Sequence, residues 1–504
     1  MATQDVDAFV ILNKGLIVET REGMGNLAVA TQSFDRLYQV VLRERPAIVW
    51  MSDNFGHFLQ QFQVAPTPIQ TAILEMYHPP LDHPAVAGLM PGAIDLALSM
   101  PGQKAEFIHK LLAIVNTNTH EYYGKNKSST PGTASMSALF LFGSKMNHSC
   151  EPNLTYTSMT DDGALEYKVI RPIQAGEATT FSYIGDLFRT PTPERRKYLQ
   201  QTKAFFCECQ RCTGPDYCRY VKCTQCHRYL VPTTTKEQVT AWMCDDCLVS
   251  PPELFKREQE LAQRLEKEGE IKGAHQSPEP LKQLAQDSAK VLSPAHHITI
   301  TALQKLFLLF SSKAYGQQLM QDQQNHLKKM GTKTNTPNLY SLSLTELRQL
   351  AAKYGLQAIA HSECVAHGCP GDHISDKNDK IYKHDPVFEL AGSMFHVCKQ
   401  LMELQPDARP EYAVIMVQRY LPILKARFGD DNPKYDVNTI AATILQHKGP
   451  PTPPRACDKC GRPESHQNKL QRCSRCQQTW YCNRDCQLNH WKAGHKKICV
   501  PANK

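Results

Sequence analysis

The chain has 504 residues, is 41% hydrophobic and 21% charged, and carries 19 cysteines and a formal charge of +8. That length is too great for one hydrophobic core and predicts three or four units. The start, MATQDVDAFVILNKG, has no basic segment ahead of an apolar run, and no stretch approaches the roughly 18 apolar residues of a membrane span. Secreted and membrane classes are therefore set aside, and a cytoplasmic or nuclear protein is expected. There thiols stay reduced, so the cysteines read as metal ligands rather than disulfides.

Strands are predicted first, in AFVILN, LIVET, REGMGNLAVA and VVLRERPAIVW between Ala8 and Trp50. Residues 68–115 read as helical, with apolar side chains at helical spacing in PIQTAILEMY and EFIHKLLAIV. Strands return at Leu154–Thr157, Leu165–Ile170 and Thr179–Ile184, and the pattern turns helical after Pro252, interrupted by the polar segment 316–339 and the loop 371–383. The run GPPTPP at 449–454 cannot continue a helix and reads as a linker.

Three cysteine clusters stand out. The last unit has Cys457, Cys460, Cys473, Cys476, Cys482, Cys486, His495 and Cys499 in the spacing C-x2-C-x12-C-x2-C-x5-C-x3-C-x8-H-x3-C. Eight such ligands make two closed tetrahedral zinc sites. Cys223, Cys226, Cys244 and Cys247, in C-x2-C-x17-C-x2-C, fit a zinc ribbon. The third cluster, Cys207, Cys209 and Cys212 in CECQRC, lacks a fourth ligand, for which Cys218 is the local and Cys150 the distant candidate. The segment HSECVAHGCPGDH, with Cys364 and Cys369, matches no paired-knuckle spacing and reads as unligated residues at a helix end.

Charge bears on partners. Residues 455–504 hold eleven Lys and Arg against three Asp and Glu, an excess equal to that of the whole chain. Fifteen zinc-ligating thiolates and four Zn²⁺ would bring the formal +8 to about +1, because ligating thiols are deprotonated. Nucleic acid is thus expected to bind weakly or not at all, and a steep salt dependence would be its signature.

The segments REGMGNLAVA, NHSCEPN, GEATTFSYIGDLFRTPTPERRKYL and CECQRC, together with the final cluster, resemble the SET and MYND domain-containing (SMYD-like) protein-lysine methyltransferases. The resemblance implies an α+β fold: a β-rich SET domain with helical insertion and post-SET cysteines (8–212), a zinc-ribbon-like segment (213–250), a loosely TPR-like α-helical region (251–448), the linker and a MYND finger (455–500). A plain helical bundle is the alternative for the helical region. It also implies that Cys150 completes the site of Cys207, Cys209 and Cys212, leaving Cys218 out. In the finger it pairs Cys457, Cys460, Cys482 and Cys486 on one ion and Cys473, Cys476, His495 and Cys499 on the other.

S-adenosylmethionine (SAM) is the cofactor that the resemblance implies, contacted by Asn147, His148, Asn118 (with Asn116 as the adjacent alternative), Phe205 against the adenine, and Tyr183. Gly23 and Gly25 would let backbone approach it, since glycine admits φ > 0. Tyr183 matches the family tyrosine that orients methyl group and amine, and is the expected catalytic residue. Two departures stand against the pattern: Lys203 occupies the position of a channel-closing tyrosine, and the finger follows the helical region rather than interrupting the SET domain. The reading is a monomeric SAM-dependent protein-lysine N-methyltransferase with four structural zincs, a histone or non-histone protein substrate, and a finger suited to proline-containing peptides. Its alternative is an inactive SET/MYND zinc adaptor or transcriptional regulator.

Overall fold

The computed structural model describes residues 8–52, 54–100, 102–122, 136–157, 163–185, 189–223, 225–226, 228–230, 232, 242, 244, 247, 252–269, 277–312, 317, 343–366, 390–409, 413–428, 436–445, 457, 459, 470–476, 479–496 and 499. The expected linker, the loop 371–383, Cys369 and Cys460 lie outside them, as does all but Gln317 of the polar segment. Two compact units are present. One comprises Met1–Arg219, Leu230–Pro251 and Ala426–Phe428, and the other Tyr220–Tyr229, Pro252–Lys425 and Gly429–Lys504.

The first unit is built on short strands. In chain order these are β1 (Val10–Asn13), β2 (Leu16–Arg21), β3 (Gly25–Ala30), β4 (Val40–Glu44) and β5 (Ile48–Met51). Helices α1 (Phe55–Val64), α2 (Thr67–Leu74), α3 (Pro84–Ala87), α4 (Met90–Ser99) and α5 (Ala105–Asn118) follow. The chain continues through β6 (His120–Tyr122), β7 (Met136–Leu139), β8 (Asn147–His148), β9 (Leu154–Thr157), β10 (Leu165–Val169), β11 (Thr180–Phe181), α6 (Thr192–Lys203) and α7 (Gln210–Thr213). Strand order is β1-β4-β10-β9 in one sheet and β5-β7-β6 in another; β2 pairs with β3, and β8 runs parallel to β11.

Local sequence explains these elements. The β2–β3 hairpin pairs Arg21 with Gly25, and its turn needs the left-handed backbone of Gly23 (φ 72°) and Gly25 (φ 66°), which only glycine adopts without strain. α1 starts at Asn54, whose side chain accepts the His57 N–H at 2.9 Å. The single helical reading of 68–115 gives way to four short helices (α2–α5), because Pro80, Pro84 and Pro91 punctuate the run and a proline ends or starts a helix turn. Trp50 and Phe58 meet edge-on at 5.1 Å and share a core with Ile108, Leu111 and Ile114 of α5. A second core, with Leu42, Phe140, Leu154 and Tyr167, lies within the four-stranded sheet and its neighbours.

The second unit is helical: α8 (Pro252–Glu268), α9 (Glu279–Val291), α10 (His297–Ser311), α11 (Leu344–Ala366), α12 (Ala391–Met402), α13 (Ala413–Phe428) and α14 (Val437–Leu445). Neighbours in sequence from α8 to α12 pack on one another, which suits their apolar faces. Cys364 is buried within α11. After these helices the described residues include a short antiparallel pair, β12 (Gln471–Arg472) and β13 (Trp480–Tyr481), and the helix α15 (Arg484–His490).

Glu44 is the unusual polar member of the first unit's interior. It is fully buried and accepts the backbone N–H groups of Phe142 (2.7 Å) and Gly143 (2.8 Å), which fastens β4 to the turn ahead of β8. Burial pushes its pKa from 4.5 to about 7, against the lowering effect of those N–H bonds. Glu44→Ala is expected to cost about 1–3 kcal/mol for each stranded N–H, read from the denaturant midpoint. A raised folded pKa means that Glu44 contributes stability below pH 4.5 and loses it as pH rises through about 7. The stability difference between wild type and Glu44→Gln should fall across that window; a flat difference would show Glu44 ionised throughout.

Candidate active site and metal-binding groups

The parallel pairing of β8 with β11 sets Thr180 beside Asn147 and Phe181 beside His148. Tyr183, two residues past β11, is thereby brought to the His148 ring, with centroids 5.2 Å apart. Its backbone N–H donates to His148 Nδ1 at 3.0 Å, and its hydroxyl donates to the Met146 carbonyl at 2.8 Å. With Nδ1 serving as acceptor, the His148 proton sits on Nε2, which lies 3.2 Å from Cys150 Sγ. Burial, ahead of the opposing influence of Cys209, pushes His148 down to about 4, so the ring is neutral. Burial also raises the Tyr183 hydroxyl pKa, with Tyr77 adding to it. The phenol therefore keeps its proton, and with that proton given to Met146 its oxygen can act only as an acceptor.

Phe205 joins this group, its ring 6.0 Å from His148 and 6.5 Å from Tyr183. Asn147 Nδ2 donates to the Met24 carbonyl at 3.2 Å and so ties the Gly23–Gly25 turn to the NHSC segment. A Cβ added at Gly23 or Gly25 would meet no atom within 4 Å, so the turn faces open space into which a bound group could fit. Asn118, at the end of α5, is placed differently. Its amide donates to the carbonyls of Tyr77 and Ile114, both at 2.8 Å.

Lys203 is the last residue of α6, and Ala204 caps that helix in the left-handed region (φ 56°), a conformation that costs a non-glycine residue about 1–2 kcal/mol. The turn directs Lys203 Nζ to the Thr117 carbonyl at 2.6 Å and holds it 5.6 Å from the Tyr183 ring centroid. The Lys203 carbonyl accepts the Tyr77 hydroxyl at 2.6 Å. Burial lowers the Lys203 pKa. His120, pushed to about 4 by burial, with Lys203's charge adding to that and the Asn118 carbonyl opposing it, packs against Phe140, Tyr156 and Phe181 nearby. Tyr77 and Thr117 are site residues that sequence reasoning missed, since neither EMYHPP nor IVNTN carries a motif.

Cys150, Cys207, Cys209 and Cys212 place their sulfurs within 4.8 Å of one another, with Cys150 and Cys212 at 3.6 Å. Cys218 is outside that group and hydrogen-bonds the Thr190 carbonyl. Arg195, fully buried, puts its guanidinium 3.5 Å from Cys212 Sγ. A buried cation requires a compensating anion, and a four-thiolate zinc site carries a net negative charge, so the surroundings fit a metal. Cys223 and Cys226 lie in the Tyr220–Tyr229 segment of the second unit, and Cys244 and Cys247 in the Leu230–Pro251 segment of the first.

In the finger, Cys473, Cys476, His495 and Cys499 form one group and Cys457, Cys482 and Cys486 another, the latter lacking only Cys460, which is outside the described residues. Asn483 caps α15 by accepting the Cys486 N–H at 2.8 Å, which fixes that cysteine on the first turn of the helix. Glu258, His296 and His297 make a further cluster with no sequence signal. His296 Nδ1 accepts the Ile298 N–H at 3.3 Å, so Nε2 carries the proton and donates to Glu258 Oε1 at 3.2 Å. A metal at Nε2 would need that proton on Nδ1, where the backbone N–H already points, so this cluster is a buried hydrogen-bonded pair.

With this geometry in view, the comparisons with known proteins give its class. The family description "SET domain" matches residues 39–184 and "MYND finger" matches residues 457–499. The chain is thus a SET-domain protein whose MYND finger lies C-terminal to the SET domain. In carrying these two domains it is similar to the SET and MYND domain-containing, SMYD-like proteins. A putative SET domain-containing protein, L678, of Acanthamoeba polyphaga mimivirus is 36% identical over 16% of this chain and 30% of its own length. N-lysine methyltransferase SMYD2 of Homo sapiens is 41% identical over 16% of this chain and 18% of its own. Histone-lysine N-methyltransferase set5 of Schizosaccharomyces pombe is 39% identical over 15% of this chain and 23% of its own. The matched stretches thus span less than a third of each relative. Among the described residues no helix is long and apolar enough to cross a membrane.

Cys150→Ser is expected to remove one zinc per chain and destabilise the first unit, whereas Cys218→Ser removes none. Metal analysis of the two purified variants checks this, and equal metal content in wild type and Cys150→Ser would show that Cys150 is not a ligand.

Proposed function

We propose that this protein is a SAM-dependent protein-lysine N-methyltransferase. The observation that carries the reading is Tyr183, a half-buried phenol fixed from both ends, by His148 at its backbone N–H and by Met146 at its hydroxyl. Bound SAM supplies a methyl group on a sulfonium sulfur. The chain's part is positional: nitrogen, methyl and sulfur must lie in line, and well-oriented reactants avoid about 7–11 kcal/mol of the barrier. The Tyr183 oxygen, left as an acceptor, can draw both the polarised methyl hydrogens and a hydrogen of the incoming amine. Surrounding rings keep water out and disfavour a charged lysine, whose free pKa is about 10.4. On this reading Gly23, Gly25, Asn147, His148 and Phe205 line the cofactor site, and Asn118 acts through the α5 end.

Four structural zincs complete the proposal, held by the thiols and histidine grouped above with Cys460 as the remaining ligand. The substrate is a lysine of a histone or another protein in the cytoplasm or nucleus, and the finger receives a proline-containing peptide. The SMYD2 and set5 likenesses support the activity. The second reading, a SET-fold adaptor without turnover, is favoured by Lys203 at the position of the channel tyrosine.

Calorimetric titration of SAM into the zinc-loaded protein separates the readings: saturable one-to-one binding weakened by Asn147→Ala is expected, and no binding favours the adaptor. Tyr183→Phe should then lower methyl transfer about 10²–10³-fold while SAM still binds, the usual effect of deleting one oriented polar contact in an active site. An unchanged rate would remove Tyr183 from the mechanism.

A further inference from the structure

Lys203 is a cation in an unexpected place. Its side chain is half-buried, and its ammonium has the Thr117 carbonyl as its hydrogen-bond acceptor and is paired with no carboxylate among the described residues. Burying an ammonium on one carbonyl is costly, so the position calls for a use of the amine rather than of its packing. The amine stands beside the Tyr183 ring on one side and is bonded, on the other, to the residue preceding Asn118. Tyr183 is the residue that the methyltransferase reading assigns to orienting the methyl group and the amine.

We infer that Lys203 is itself a methyl acceptor and that the protein methylates its own chain there, an inference that rests on the methyltransferase reading. The Lys203 Nζ lone pair forms a bond to the methyl carbon as that carbon's bond to the sulfonium sulfur breaks. S-Adenosylhomocysteine leaves with the electron pair, and the proton that the ammonium gives up goes to water. Three features favour the step. Burial lowers the Lys203 pKa and so raises the fraction of neutral, nucleophilic amine. The left-handed Ala204 holds the side chain in place at the helix end. The face of Tyr183, 5.6 Å from the amine, attracts a methylated ammonium through its ring quadrupole.

The test uses the full-length, zinc-loaded protein and SAM carrying a labelled methyl group, with and without mixed histones, and maps modified residues by mass spectrometry. Label on Lys203, appearing at a first-order rate that dilution does not change and absent from Lys203→Arg, is the expected result. Label on histones with none on Lys203, or a Lys203 rate that rises with protein concentration, overturns transfer within one chain and leaves the methyltransferase reading intact. SAM bound with no label anywhere overturns both.

A second readout is independent of turnover. Calorimetry in buffers of different ionisation enthalpy should show SAM binding releasing a proton that S-adenosylhomocysteine, lacking the sulfonium charge, does not release, and Lys203→Met should abolish the difference. The other titratable groups facing Lys203 are Tyr77 and Tyr183, whose protons burial holds, and His120, already neutral. Equal proton release by the two ligands would show that Lys203 does not face the sulfonium and would overturn the inference.

Discussion

The two hydrogen bonds of His148 are the constraint on which the rest of the site depends. One ring nitrogen accepts from Tyr183 and the other faces the Cys150 sulfur, so a side chain of NHSC joins the thiol group to the residue proposed to orient chemistry. The ring has no freedom to exchange these roles, because reversing its tautomer would set an N–H against an N–H. Burial keeps it uncharged, so neither bond depends on solution pH near neutrality. The thiol cluster and the active-site strand are consequently one mechanical object, although the cysteines stand far apart in sequence.

Much of this was legible in the sequence because its carriers are spacings. Paired knuckles and CxCxxC mark which thiols lie together along the chain, but spacing left Cys150 and Cys218 open as the fourth ligand and only the resemblance favoured Cys150, whose sulfur the structure sets beside those of Cys207, Cys209 and Cys212. The strands of the first unit followed from short β-branched runs between glycines. The helices of 68–115 were seen as a type but not as four pieces, since apolar periodicity persists across the prolines that stand between them or in their first turns. Tyr77 and Thr117 were invisible for a different reason: each enters the site through one hydroxyl or one carbonyl, and backbone carbonyls carry no sequence signature.

Lys203 illustrates how a departure from a pattern gains meaning only from geometry. In the sequence it was a missing tyrosine. In the structure the hydroxyl that a tyrosine would bring is supplied near the same place by Tyr77, whose OH reaches the Lys203 carbonyl, while the lysine stem lays its amine against Tyr183. The enclosure is thus still aromatic, but it contains a basic nitrogen, and its electrostatics differ from those of an all-phenol wall. The adaptor and enzyme readings diverge on what that nitrogen does.

The thiol pair at Cys150 and Cys212 spans 62 positions of chain. A ribosome emits β8 and Cys150 well before α6 and the CECQRC segment, so a nascent chain can lay down the four-stranded sheet while His148 still has no metal-anchored neighbour to point at. Only when Cys212 has cleared the exit tunnel can an ion close the loop. On the zinc reading proposed above, metal supply would act as a maturation checkpoint on newly made protein, and cells starved of it would accumulate chains with a formed sheet and an unassembled corner around Tyr183.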